Sequence, residues 1–283
     1  MLDSRALSRF RKNRGALAGA ALVLLVTSAA LIGPLFSPHG PNEQFAQGLT
    51  AQGLPRPPGD GSFLLGTDTL GRDELSRLLH GGIISMQVAF FATGLSLLLG
   101  MSVGVLAGYF GGWLDRISMR AVDVLLSLPF LLIAIAVNRA IANPSLWSLY
   151  VLLGGLSWPA LARITRAKVQ QVRALDYVAA VQALGAPSSR ILLRHVFPNV
   201  LGPAVIIGTT MVADMIVAES AMSFLGLGVQ PPQASWGSML YEGRDVMAYA
   251  PHLLTAPGLL IGMTVFGFNL LGEGLRDALD PKG

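Results

Sequence analysis

The chain has 283 residues, of which 52% are hydrophobic and only 13% charged, with a mean hydropathy of +0.58. Soluble domains carry roughly 25% charged residues, so this composition excludes a soluble globular enzyme. Its net charge of +4 is gathered in a few blocks between apolar segments, the pattern of loops that orient a membrane protein rather than of a nucleic-acid surface. The absence of cysteine removes disulfides, thiolate metal sites and cysteine nucleophiles together.

A helix that crosses a bilayer needs about 20 apolar residues, and uncharged windows of that length recur along the sequence. The first apolar run, Ala16 to Phe36, is too long for a signal-peptide core and lacks a convincing cleavage site, which predicts a retained first span. Prolines and glycines from Ser37 to Gly61 read as an extended connector. Thr67 or Asp68 is expected to cap a short amphipathic helix running to His80 and lying flat on the outer surface. The second span is predicted from Ile83 to about Ala107, and the third from Ile117 to Asn138, with Arg120 and Asp123 as a local ion pair near its start. A turn at Asn143 and Pro144 precedes the fourth, from near Leu146 to Ala162; the fifth covers Asn199 to Met222 and the sixth Leu253 to Leu271. Gly100, Gly104 and Gly108, and again Gly258 and Gly262, have the four-residue spacing that lets helices approach closely in lipid, here expected within the chain. Pro129, Pro159, Pro203 and Pro257 are expected to bend their helices.

Charge fixes the sides. Arg5, Arg9, Arg11, Lys12 and Arg14 precede the first span, and Arg163, Arg166, Lys168, Arg173, Arg190 and Arg194 lie between the fourth and fifth. The segments after the first and fifth spans are slightly acidic. An all-α polytopic protein in the lipid bilayer, with six transmembrane helices and both termini in the cytoplasm, follows.

The stretch of about 163–198 is long and basic but contains two helix-like pieces. Asp176 is expected to cap a helix in which Tyr177, Val178, Val181 and Leu184 recur at helical spacing, ended by Gly185, Ala186 and Pro187. The two pieces make an elbow rich in small residues, Ala179, Ala180, Ala183 and Gly185, with little side chain to obstruct a partner, so it can seat in a groove of another protein.

Tyr177 to Asn199, YVAAVQALGAPSSRILLRHVFPN, resembles the cytoplasmic coupling loop of binding-protein-dependent ABC importer permeases. FLLGTDTLGRDELSRLLHGG (Phe63 to Gly82), ESAMSFLGLGVQPPQASWGSML (Glu219 to Leu240) and NLLGEGLRDALDP (Asn269 to Pro281) continue the likeness, to the second permease of the dipeptide, oligopeptide and nickel importer family. The resemblance implies the fold of the methionine-importer permease, with a first unit at 1–62 (basic N-terminus, first span and outer connector) and a five-helix permease core at 63–283. It also implies a bacterial inner-membrane location, a second homologous permease, two ATPase subunits that carry ATP and Mg, and an extracytoplasmic substrate-binding protein. Peptides are the leading cargo, with nickel and glutathione as others of the family. In the family's Y-V-E-A-A-R-A-L-G pattern the glutamate falls on Ala179, the second alanine on Val181 and the arginine on Gln182. A glutamate at 179 would complete a capping box with Asp176.

No G-x-x-x-x-G-K-[ST] phosphate loop occurs, so the chain is expected to bind no nucleotide cofactor and to be no enzyme. His39, His80, His195 and His252 show no metal-ligand spacing. Asp214 and Glu219 are acids inside a predicted span, where an ionisable group must face protein or water. They are candidates for a polar pathway lining, for a charge partner of a neighbouring helix or, in a rival reading, for the ion site of a secondary transporter; for Glu219 a solvated position near the outer end is an equal expectation.

Overall fold

The computed structural model describes residues 4–279. Among them the regular structure is helical, with isolated bridges but no strand. Helix α1 (Ser4–Lys12) meets α2 (Arg14–Ile32) at Asn13, whose Oδ1 accepts from Ala16 N at 3.1 Å and caps α2. Its Nδ2 donates to Asp277 Oδ2 at 3.0 Å, tying this corner to the last helix, α11 (His252–Leu279). A short 3-10 turn, Gly33–Phe36, extends α2. Helices α2 and α11 approach so closely that a Cβ at Gly274 would sit 2.2 Å from Ala16 Cβ.

The expected flat surface helix and the second span are one helix, α3 (Glu74–Phe110), capped by Asp73 rather than by Thr67 or Asp68; Asp73 Oδ2 accepts from Ser76 N at 3.1 Å. Packing overrides the weak helix propensity of Gly81 and Gly82, since Cβ atoms there would lie 3.4 Å from Ser235 C and 3.0 Å from Ala30 Cβ. The segment 37–73 is not extended. It folds back through bridges such as Gln44 to Arg72 and Leu49 to Pro55, around the rings of His39, Phe45 and Phe63 at 4.7 to 5.6 Å.

The third predicted span is two helices, α4 (Gly112–Ser127) and α5 (Phe130–Ala140), bent by 92°. Pro129 causes the break: it has no N–H to donate and drives Leu128 out of the helical region, to φ −98° and ψ 139°. Helix α6 (Leu146–Arg173) starts at a Ser145–Ser148 capping box and runs on past Ala162. The glycine stripe of α3 packs against it as expected, with a Cβ at Gly104 falling 2.6 Å from Ala162 O. Gly262 has no such neighbour within 4 Å, so the second glycine pair is not a close contact within this chain.

Helix α7 (Asp176–Ala183) leads through a turn into α8 (Ser188–Ile191), a π-helical turn at Leu192–Val196, and α9 (Phe197–Phe224). The wider turn accommodates Pro198, which has no N–H for the regular ladder. The second arm of the elbow is therefore the start of a single apolar run, Ser188–Phe224. α6, α9 and α11 continue through Pro159, Pro203 and Pro257 without a break. A short helix, α10 (Trp236–Gly243), lies between α9 and α11.

Among the described residues, four helical runs are long and apolar enough to cross a membrane, and a fifth if the α4–α5 pair counts as one span. Helix α6 is not among them, its apolar stretch being diluted by Trp147, Ser148, Gly154, Gly155, Ser157, Trp158 and Pro159. A large core gathers around Met86, Leu153, Ile216 and Trp236. A smaller one of Tyr109, Val169, Val172, Val178, Ile191, Val196 and Val200 sits at the elbow.

Candidate functional site

The elbow is anchored from within. Val178 of α7 is 1% exposed and packs into the small core with α3, α6 and α9. Arg173 Nη1 donates to Tyr109 O at 2.8 Å, with its guanidinium 5.8 Å from that ring, which pins the end of α6 to the end of α3. Gly185 turns the chain at φ +79°, a conformation that strains any residue with a Cβ. Around it Leu184 N donates to Ala180 O at 3.0 Å and Ala186 N to Val181 O at 3.3 Å.

What remains outside is rich in alanine, with Asp176, Tyr177 and Gln182 as its polar members. Asp176, Tyr177, Ala179, Ala180, Gln182, Ala183, Leu184 and Gly185 are exposed, while Val181 and Ala186 are half-buried. Leu184, at the end of α7, is 87% exposed. The expected capping role of Asp176 is not observed: Leu175 is the N-cap residue, without a side-chain hydrogen bond, and Asp176 is the first helical residue. A helix N-terminus favours an acid there in any case.

Behind the elbow, α6 grips α4 through two ion pairs. Arg166 binds Asp115 through both carboxylate oxygens. Arg163 Nη2 meets Asp123 Oδ1 at 2.5 Å. Asp123 therefore pairs across helices with Arg163, not locally with Arg120. A sequence reader could not foresee this, because the partners are separated by the 92° break.

The two acids of α9 part company. Asp214 is exposed and lines a half-open cavity of about 590 Å³ between the α4–α5 bend, α6 and α9. Glu219 is 0% exposed and reaches neither water nor that cavity. It accepts from Ser223 Oγ at 2.6 Å, Ser235 Oγ at 2.7 Å and Ser85 Oγ at 3.3 Å. This corrects two of the expectations for Glu219, pathway lining and solvated end; its partners are serine hydroxyls from neighbouring elements rather than a charge. The carboxylate is a buried knot fixing α10 and the preceding loop to α3. Trp236 adds to it, its N donating to Ser85 Oγ at 3.1 Å and its Nε1 to Leu78 O at 3.0 Å. Ser85, Ser235 and Trp236 escaped sequence reasoning; only the Glu219–Ser223 spacing of four was visible locally.

A second knot joins α3 to α10. Arg77, 1% exposed, donates to both Glu242 oxygens at 2.9 Å and lies 3.3 Å from Asp68, which also holds Arg72. Among the described residues no group of three or more His, Asp or Glu side chains is arranged to hold a metal ion.

A bundle of long apolar helices, one broken, with an elbow at one end and an acid-bearing cavity in its flank, is the architecture of a multi-pass membrane protein. The chain belongs to the family of binding-protein-dependent transport system inner membrane components, whose model matches residues 100–282; residues 4–55 match the N-terminal TM domain of oligopeptide transport permease C. It is 41% identical to a di/tripeptide transport system permease protein of Pseudomonas aeruginosa over 96% of this chain and 90% of that one. A dipeptide transport system permease protein of Haemophilus influenzae is 39% identical over 96% and 92%. A glutathione transport system permease protein of Pectobacterium atrosepticum is 39% identical over 97% and 89%. In fold it is similar to a chain of the MetNI methionine ABC transporter in inward-facing conformations, with a TM-score of 0.60 and 20% identity over 72% of this chain and 97% of that one. The protein is an inner membrane permease component of a bacterial transport system, and these relatives do not favour the rival ion-coupled reading.

Proposed function

We propose that this chain is one of two permease halves of an ATP-driven peptide importer, crossing the inner membrane six times with both termini in the cytoplasm. The broken α4–α5 pair and α6 supply the third and fourth crossings. Residues 1–62 form an N-terminal unit and 63–283 the permease core. A second homologous permease completes the pathway, a substrate-binding protein delivers cargo from outside, and two ATPase subunits carry ATP and Mg; this chain performs no chemistry. Peptides, rather than nickel, are the cargo, on the strength of the di/tripeptide and dipeptide relatives.

The observation that carries the mechanism is the elbow: an exposed, alanine-rich face ending at Leu184, mounted on a core shared by α3, α6 and α9. A groove in the ATPase that takes this face moves three helices as a unit, because Val178 and Ile191 cannot shift without them. Ala180→Trp adds bulk on the exposed side of α7 and leaves the small core intact. In the complex reconstituted with its ATPase subunits and binding protein, this variant should lose substrate-stimulated ATP hydrolysis and uptake at normal membrane levels. Full activity of both would refute docking through α7.

A further inference from the structure

The cavity beside α9 has an uneven chemistry. Leu125, Phe130, Leu156 and Met211 stand for its mostly apolar wall, and Asp214 is the one ionisable group among its lining residues. The hydroxyls that share the wall are engaged elsewhere, Ser157 Oγ donating to Leu153 O at 2.8 Å and Thr210 Oγ1 to Ile207 O at 2.9 Å. Asp214 is exposed and has no hydrogen-bond or ion-pair partner among the described residues. It lies roughly three turns of helix from Phe224, the end of α9. A carboxylate at that depth is strongly disfavoured against acyl chains and must face water or a polar partner, so the cavity belongs to a wet interior and not to the lipid boundary.

A lone negative charge in an apolar, partly enclosed wall attracts cations more strongly than it would in bulk water, because little else screens it. We infer that Asp214 is a charge-selecting station on the substrate path that takes the primary ammonium group of the passing cargo, the N-terminal ammonium of a peptide. The inference rests on the importer reading above and adds to it which end of the cargo the wall engages. The carboxylate end of a peptide is repelled by the same group and points away from it. Because neither wall hydroxyl offers a free proton donor, recognition at this point is by charge and not by a hydrogen-bond pattern, which suits a path that must pass peptides of differing side chains.

The cysteine-free sequence permits a direct test. Val217 is 48% exposed, lines the same cavity and lies at i+3 from Asp214 on one helix face. In the assembled complex in proteoliposomes, Val217→Cys is labelled with the ethylammonium and the ethylsulfonate methanethiosulfonates. The ratio of the two rates, relative to that of a free thiol in solution, should favour the ammonium reagent roughly tenfold. Asp214→Asn should abolish the preference, and Asp214→Glu should retain it. Alanyl-alanine should slow the ammonium reagent while N-acetyl-alanyl-alanine does not. A preference that survives Asp214→Asn, a thiol that neither reagent reaches, or protection that does not depend on the free amine each overturns the assignment. Labelling needs no ATP turnover, so its failure leaves docking through the elbow standing. Failure of the Ala180→Trp test likewise leaves the labelling ratio unaffected.

Discussion

Ser235, at the start of α10, donates its hydroxyl to Glu219 of α9 at 2.7 Å, in a site where the carboxylate is wholly buried. Ser85 and Ser223 donate to the same carboxylate, and Ser223 Oγ also accepts from Val229 N at 3.1 Å, so one acid organises the loop between α9 and α10. Buried hydrogen-bonding groups left without a partner cost about 1–3 kcal/mol each. Glu219→Ala should therefore destabilise the detergent-solubilised protein by roughly 3 kcal/mol and speed hydrogen exchange over 225–235, whereas Glu219→Gln, which keeps an accepting oxygen, should cost about 1 kcal/mol. Equal melting temperatures for the two variants would remove the knot from the account.

The two ion pairs between α4 and α6 should differ in strength. Arg163 and Asp123 have side-chain exposures of 53% and 54%, against 29% and 17% for Arg166 and Asp115. Exposed pairs are worth about 0–1 kcal/mol, while the bidentate, better-shielded pair gains from geometry and lower screening. Double-mutant cycles should give a coupling near zero for Arg163–Asp123 and on the order of 1 kcal/mol for Arg166–Asp115. The reverse order would contradict the geometry.

Most helix positions were legible, because uncharged windows and their flanking charges report burial in lipid directly. The start of α6 near Leu146 and the arrest of α7 before Gly185 came from local turn chemistry. What local reasoning missed is tertiary. Asp73, not Asp68, caps α3 because Asp68 is drawn into the cluster with Arg72 and Arg77. The fates of Asp214 and Glu219 were indistinguishable in sequence, since both are acids in one apolar helix. Only the serines arriving from α3 and α10 separate the buried knot from the exposed charge.

The departure at Ala179 also reads differently in three dimensions. With Leu175 as the cap residue and Asp176 already helical, a glutamate at 179 has no cap with which to form a reciprocal pair. Ala179→Glu should change stability by less than about 0.5 kcal/mol, as for an ordinary exposed site. Thermal unfolding checks this, and a larger gain would mean that Asp176 caps the helix after all.

Sidedness is checked with exposed positions. Ser188, beside the elbow, and Gln233, in the loop before α10, are both exposed. Single cysteines there should be labelled from opposite faces of the membrane by an impermeant maleimide, Gln233→Cys in intact cells and Ser188→Cys only after permeabilisation. Labelling of both in intact cells would exclude six crossings.

Contact between the elbow and the ATPase is tested most directly by a photocrosslink from Leu184 at the end of α7. A photoreactive amino acid in place of Leu184, 87% exposed, should capture an ATPase subunit in membranes holding the assembled complex. The same group in place of Leu35, 81% exposed beyond α2, should not. An ATPase adduct from position 35, or none from position 184 in a complex that transports normally, would contradict the account.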